Sequence, residues 1–433
     1  MQAQTKSNFV LRHFVISSNR SGEPVPLTSN HVLYLRYVED IRSASIRIEA
    51  QVTDSETGII SSLQGMEPVF IGWEDTEEPS TNFYQINGVV YDIQDRTNKD
   101  GKSKATLLIC TYDLVNNAAT KLSRRFGKGG GRKIHDIVKT EILQDILHTT
   151  YEIRVEKTQN KFSYISPYWS PFTMIKWLCA KAIPEKKKGG ANASAGYCFF
   201  QNKRGYNFLS FDSFTREVPI KKIVIGHEPK DNEDPEEDKD IIPVNRMQVT
   251  SSFDVLKGLN VGSFNSMVMT LDVKDMHYVE HPFNISKYYQ DVPLMNASFS
   301  APDYYKKFDR DNAHTRIMSK IMDTALFTEG TMTKGMTRQL SQSSLREKLF
   351  YAKSVEVEYI GTNELTVGDV VELIAFKGKD RDTDYENSGN YVIGRVEKQF
   401  LSANDQMSTK LILYTDSPGA PPAMNPDALE GGT

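Results

Sequence analysis

The residues best spaced to do chemistry are His277, Glu280 and His281. His277-Tyr278-Val279-Glu280-His281 has the H-x-x-E-H spacing of inverted zinc peptidases. On a helix that spacing puts both imidazoles on one face, to bind Zn²⁺ while the glutamate activates water. The surroundings read as strand instead, and Pro282 biases His281 away from helical backbone. Surface or interface histidines are therefore expected, with a zinc-dependent hydrolase using His277, Glu280 and His281 as the alternative. Residues 124–133, RRFGKGGGRK, are basic and glycine-rich. Arg132 stands where a phosphate-binding loop needs its second glycine, so a flexible basic loop against a neighbouring protein is expected. Asp380, Asp382, Asp384 and Glu386 lack the glycine and terminal glutamate of a calcium loop. Cys110, Cys179 and Cys198 are too few and scattered for disulfides or zinc, and Cys179 and Cys198 read as core residues. No catalytic residue, metal ligand or cofactor is expected, and the chain is expected not to be an enzyme.

The chain that must position these residues has 433 of them, with 52 Lys and Arg against 56 Asp and Glu. A net charge of −4 gives no general demand for nucleic acid. No apolar run approaches the ~18 residues of a membrane span. The start, MQAQTKSNFVLRHFV, is unlike a signal peptide, because Arg12 and His13 break its short apolar run. A protein folded in a reducing cytoplasm, without membrane insertion, is expected.

Residues 1–114 read as a β domain. The stretch 45–53 alternates, with Ile46, Ile48, Ala50 and Val52 on one face. Further strands are expected at 9–17, 69–73, 84–93 and 104–112, with Asn98-Lys99-Asp100-Gly101 as a hairpin turn. Residues 115–214 read as a mixed α/β domain. Its helix 134–148 carries Ile134, Ile137, Val138, Ile142, Ile146 and Leu147 as one stripe. Its helix 171–183 has Ser170 as N-cap and Pro171 at the first position, and buries Phe172, Ile175, Leu178, Cys179 and Ala182. Trp177 is expected near Phe199 and Phe200, in a hairpin of strands 197–201 and 206–210 whose Gly205 is free to take positive φ.

Residues 185–196 read as an exposed loop, and 228–240, with eight acids in thirteen residues, as a solvated linker. Segments 215–245 and 351–416 read as a second β domain, with strands at 218–225, 354–360, 370–375, 391–400 and 409–414. Between them, 246–350 reads as an intermediate β/helical region. It has strands over 246–273, an irregular aromatic stretch at 285–309, and helices at 315–327 and 340–350. Ile317, Ile321 and Leu326 are expected inward. Residues 417–433 read as a flexible tail. The fold class is α+β, β-rich: two antiparallel β-barrel or sandwich domains plus mixed α/β intermediate domains, discontinuous in sequence.

The two β domains echo each other. Residues 65–71 parallel 368–374, the stretch from Tyr84 parallels that from Tyr391, and 106–113 parallel 409–416, in the same order. Three chains with two such units each would present six units around a central hole, with edge strands pairing between chains.

Several segments carry a resemblance. They are Tyr37 to Asp54, Gly65 to Gly72, Ser123-Arg-Arg-Phe-Gly127 with Ile134-His-Asp-Ile-Val138, the Trp169-Ser-Pro-Phe172 helix start with Trp177-Leu-Cys-Ala-Lys-Ala182, the Phe199-Phe200 to Ser210 hairpin, Gly361 to Val371, and Ser388 to Val396. In this order they resemble the baseplate central hub protein of contractile-tailed, myovirus-type bacteriophages and the hub portion of VgrG spike proteins, over most of residues 8–416. The resemblance implies that the β domains are tube-protein-like and that the chain is a structural virion protein. It implies a homotrimeric, pseudo-sixfold hub joining the tail tube to the central spike, around a channel that DNA passes without specific binding. The implied partners are the central spike protein, a tail tube or tube-initiator protein, and baseplate wedge or other hub proteins. VgrG chains continue into a spike, whereas this one stops, so the spike is expected to be a separate chain. The implied location is the virion tail baseplate, after assembly in the host bacterial cytoplasm. The hub of a related contractile injection system is the alternative. The acidic loop and the charged insertion 377–384 depart from the pattern.

Overall fold

The computed structural model describes residues 9–419 apart from 20–22, 56–57, 76–83, 129–130, 186–195, 227–239, 245, 253, 261, 263–264, 274–275, 285–292, 297–313, 315, 323–342, 344–345, 362–363, 378–381 and 403–405. The fold is α+β and β-rich. Its first region contains β1 (Phe9–Ser17), β2 (Val32–Asp40), β3 (Arg47–Asp54), β4 (Pro68–Asp75), β5 (Tyr84–Lys99) and β6 (Lys102–Cys110). They pair antiparallel in the order β1-β4-β5-β6-β3-β2. Alternation sets the faces: β3 buries Ile48, Ala50 and Val52 and turns Arg47, Glu49 and Gln51 outward. The β5–β6 turn tightens to Asp100-Gly101, both at positive φ (53° and 76°), as a two-residue hairpin turn demands.

The middle region contains α1 (Tyr112–Ala119), helix α2, β7 (Ile153–Val155), α3 (Pro171–Cys179) and the hairpin β8 (Tyr197–Asn202) and β9 (Gly205–Ser210). Helix α2 opens as α at Ile134–Asp136 and continues as π over Ile137–Gln144. Asp145 donates to the Thr140 carbonyl (2.9 Å) and Leu147 to that of Ile142 (3.1 Å), both i to i−5. The wider turn shifts the buried stripe, so Leu143 is inside and Ile146 only half-buried, against the regular helix expected over 134–148. Helix α3 starts where expected, but the Ser170 hydroxyl pairs with that of Thr173 (2.8 Å), and Asn117 of α1 accepts the Phe172 N–H (2.7 Å). All five predicted inward residues are buried. Trp177 is a correction. Its ring meets Tyr164 (5.0 Å), Phe162 (5.5 Å) and Trp169 (5.6 Å), and it is Phe172 that reaches Phe199 (5.7 Å).

The hairpin is buried on both faces. Phe199, Tyr206 and Phe208 join the core of α2 and α3, while Cys198, Phe200 and Leu209 join the core of the second β region. Strand β9 also pairs in parallel with β7. Gly205 sits at φ +126°, where a Cβ would lie 2.2 Å from the Glu152 carbonyl oxygen, so the position admits glycine alone.

Next come β10 (Lys222–Ile225), β11 (Ile241–Val244), β12 (Arg246–Ser252), β13 (Asn265–Asp272), β14 (His277–Asn284) and β15 (Arg316–Met322). Strands β13, β14 and β15 form a separate sheet in the order β14-β13-β15. Strand β15 overturns the helix expected over 315–327. Ile317 and Ile321 are 56% and 77% exposed rather than inward, and Leu326 lies outside the described residues. An i, i+4 pair shares a face in a strand as it does in a helix, so the spacing did not discriminate. Of the second expected helix, residues 346–350 are helical. Most of the loop 185–196, the acidic run 228–240, the stretch 285–309 and the tail lie outside the described residues.

The last strands are β16 (Lys353–Ile360), β17 (Val370–Ile374), β18 (Gly389–Leu401) and β19 (Gln406–Thr415). The order β12-β16-β19-β18-β17 repeats β2-β3-β6-β5-β4 of the first region. The echo is thus one β unit present twice, and the registers correct the alignment read from sequence. Asp92 faces Leu108 and Arg395 faces Ile412, each just after a bulge, at Tyr91 and at Gly394. Gly368, at φ +92°, corresponds to Met66, at φ +67°, rather than to Gly65. Tyr391 corresponds to Gly88 rather than to Tyr84, since they face Val371 and Val69. Glu67 and Asp369 match in role, Glu67 accepting the Gln64 and Gly65 N–H groups and Asp369 that of Thr366, each in the loop before its own strand.

Candidate functional site

On β14 the backbone alternates, so Glu280 faces away from His277 and His281. His281 Nε2 lies 3.1 Å from the Thr270 hydroxyl, and Glu280 accepts the Tyr278 hydroxyl at 2.8 Å. Burial lowers the His281 pKa. The arrangement is not the helical one that zinc hydrolysis needs, and among the described residues no three His, Cys, Asp or Glu side chains gather as a metal site. Asp384 instead accepts the Asn387 amide (2.6 Å), and Asp380 is outside the described residues. All three cysteines are free and buried, and burial raises the pKa of each thiol.

The basic stretch 124–133 is built into the molecule rather than free. Arg125–Phe126 pairs with Tyr164–Ile165, and Arg132–Lys133 with Lys161–Phe162. Glu141 accepts Arg132 and the Gly127 N–H, both at 3.3 Å, and Lys133 pairs with Glu185.

What the fold does assemble is a junction. Glu39 on β2 is 1% exposed, and no signal in the sequence marks it. It accepts hydrogen bonds from the Tyr37 hydroxyl, the Lys203 N–H (2.7 Å), the Thr366 hydroxyl (2.5 Å) and the Val367 N–H (2.9 Å). One carboxylate therefore ties the first β unit to the hairpin turn and to the loop before β17. Beside it, Arg204 of that turn forks onto Asp369 (2.7 and 3.1 Å). Lys203 and Lys398 stand 4.4 and 4.5 Å from the Tyr84 ring centre, and Tyr84 stacks on Trp73. Burial raises the pKa of Tyr37 and Tyr84 and lowers that of Lys203.

The junction backs a seam. Strand β2 pairs antiparallel with the second half of β18, from Arg395↔Asp40 to Leu401↔Tyr34, so the two β units share one continuous sheet. Across the outward face of this seam Arg36 donates to Glu397 (2.7 and 3.0 Å) and meets Glu49 at 3.5 Å. Arg395 also meets Glu397 (3.0 Å), and Lys410 meets Glu356 (2.7 Å). Burial raises the Glu397 pKa, but hydrogen bonds from Arg36 and Gln399 outweigh it and leave the carboxyl below its ordinary value. The counterparts of the two seam strands are left open. Among the described residues β12 pairs only with β16, and residues 92–99 of β5 pair only with β6.

The fold is shared with tail proteins. The crystal structure of the tail protein from Neisseria meningitidis MC58 matches with a TM-score of 0.56 at 9% identity, covering 94% of this chain and 97% of that one. The 43 kDa tail protein of prophage MuSo2 from Shewanella oneidensis matches at 0.51 and 9%, covering 94% and 98%. A chain of the lidded Francisella PdpA–VgrG complex matches at 0.49 and 12%, covering 98% of this chain and 55% of that one. No family model and no curated protein matches the sequence.

Proposed function

We propose that a chain with this fold is a structural tail protein rather than an enzyme, and that three copies close into the baseplate hub. The carrying observation is the repeat with its unequal edges. Within one chain β2 of the first unit is paired to β18 of the second. The equivalent strands, β12 and the end of β5, are each paired on one side alone among the described residues. Pairing β12 of one copy with β5 of the next repeats the same seam, head to tail, and removes both edges. Three copies then give six similar units around a channel, matching a sixfold tail tube on one side and a threefold spike on the other. The partners in this reading are the homotrimer, a central spike protein, a tail tube or tube-initiator protein, and baseplate wedge or other hub proteins. DNA passes the channel without specific binding. The site of action is the virion tail baseplate, with assembly in the host cytoplasm.

A seam that copies the one within the chain takes its register from it. Arg36 faces Gln399, and their counterparts are Gln248 and Thr97. Facing residues of an antiparallel pair lie about 4.5–5.5 Å apart at Cα, within disulfide reach. Combining Gln248→Cys with Thr97→Cys should give covalent trimers on a non-reducing gel, because the three native cysteines are buried. Mass photometry of the parent should show trimers, alone or with the spike partner. Persistent monomer in both experiments overturns the ring.

A further inference from the structure

A cleft of about 520 Å³ opens where the outward face of the sheet meets α1 and α3. The loop after β2, the start of β3, strand β18 and α3 bring Arg42, Arg47, Arg395 and Lys176 to its walls, against one carboxylate, Asp40. Asp40 is already engaged. It accepts the Arg42 N–H at 2.8 Å and faces Arg395 across the seam. The Arg42 guanidinium is held by rings rather than by acids, 4.0 Å from the centre of Tyr351 and 5.6 Å from that of Tyr414. Lys176 Nζ reaches the Arg42 carbonyl at 3.4 Å. Neither Arg47 nor Lys176 has an ion-pair partner among the described residues. Arg395 gives one nitrogen to Glu397, while its Nε is buried with no hydrogen-bond partner. Its apolar lining comes chiefly from the half-buried Val38 and Leu114, since Ala44 and Phe172 are only 7% and 5% exposed.

Cations gathered with so little compensating charge repel one another, and the arrangement is relieved by an incoming anion. The apolar lining narrows the choice. Duplex DNA offers phosphates but no apolar side chain to cover Leu114, and a free inorganic anion would leave that surface bare. We propose that this cleft binds an acidic peptide segment of a partner protein, its carboxylates on Arg42, Arg47 and Lys176 and an apolar side chain against Leu114. Charge-assisted hydrogen bonds of this kind are short and directional, and Arg42 is held in place before the ligand arrives. The cleft lies wholly within one chain, so this inference stands or falls separately from the ring.

The test is fluorescence anisotropy with a labelled peptide, Asp-Leu-Glu-Asp-Phe-Glu, titrated with the full chain. Saturable binding is expected at about 0.1 M salt, weakening strongly at about 1 M as the screening length shrinks from about 10 to about 3 Å. Arg47→Glu and Lys176→Glu should each weaken binding about tenfold, or ~1.4 kcal/mol. Both side chains are exposed, so these variants should keep the parent's circular dichroism and melting temperature. The Asn/Gln analogue of the peptide should bind at least about tenfold more weakly. The proposal is overturned if no binding appears up to about 1 mM, if the variants or the neutral analogue bind as well as the parents, or if a short DNA duplex displaces the peptide stoichiometrically.

Discussion

Arg346 shows how much of this molecule rests on single buried charges. It is fully buried, with Asp212 at 2.9 Å, Asp416 at 2.5 Å and the Pro293 carbonyl at 3.2 Å, so it joins the end of the hairpin region to the end of β19. Removing one member of such a cluster leaves the others charged, buried and uncompensated. Arg346→Met should cost about 3–5 kcal/mol, read as a lower denaturant midpoint for the chain. Neither Arg346 nor Glu39 stands out in the sequence, because a charged residue in a polar stretch reads as surface until the segments that bury it are placed. Gly205 was legible, since a tight hairpin turn asks for positive φ whatever surrounds it. On a helix the spacing of His277, Glu280 and His281 brings the glutamate beside both imidazoles, whereas on the strand β14 it faces away from them.

At the scale of elements, α3 separates a core contact from a rim contact. Phe172 is 5% exposed and lies between Phe199 and Tyr206, whereas Trp177 is half-buried in a ring of aromatics. Phe172→Ala should lose about 3–5 kcal/mol, in the range for buried aromatics, and Trp177→Ala distinctly less. Thermal melts of the two variants check the order, and an equal or larger loss at Trp177 would contradict this assignment. Strands with regular alternation, such as β3 and β19, were placed to within two or three residues from sequence, because one face of each meets core and the other does not. Helix α2 and strand β15 were not. A π-wound helix moves residues off the expected stripe, and β15 owes its state to pairing with β13, a distant template. The repeat was visible as vocabulary. Its register was not, because short strand stretches match at several offsets and only the pairing across the sheet selects one; the bulges at Tyr91 and Gly394 fall at equivalent positions.

At the scale of the whole molecule the two kinds of seam differ in charge. The seam within a chain carries Arg36 and Glu397, while the equivalent positions of the proposed seam between chains are Gln248 and Gln94. The lowered Glu397 pKa contributes stability that is whole above the ordinary carboxylate value near 4.5 and is lost as pH falls through the lower folded value. Acid should therefore loosen the chain itself before it separates copies. Tryptophan fluorescence set beside mass photometry down a pH series checks this, and dissociation ahead of any fluorescence change would contradict it. Arg36 and Arg395 at the seam are paired with Glu397, and Arg132 and Lys133 with Glu141 and Glu185, which takes these cations away from phosphates. Gel shifts near physiological salt should show weak duplex binding or none.

The seam between β2 and β18 also has a mechanical meaning. Seven facing residue pairs span it. In a closed ring built from such seams, hoop tension runs along the hydrogen bonds, and the pairs bear it side by side rather than one after another. Such a joint does not unzip from an end. Loaded this way the whole ladder yields together, so the proposed ring would stay shut through partial strain and open in a single step.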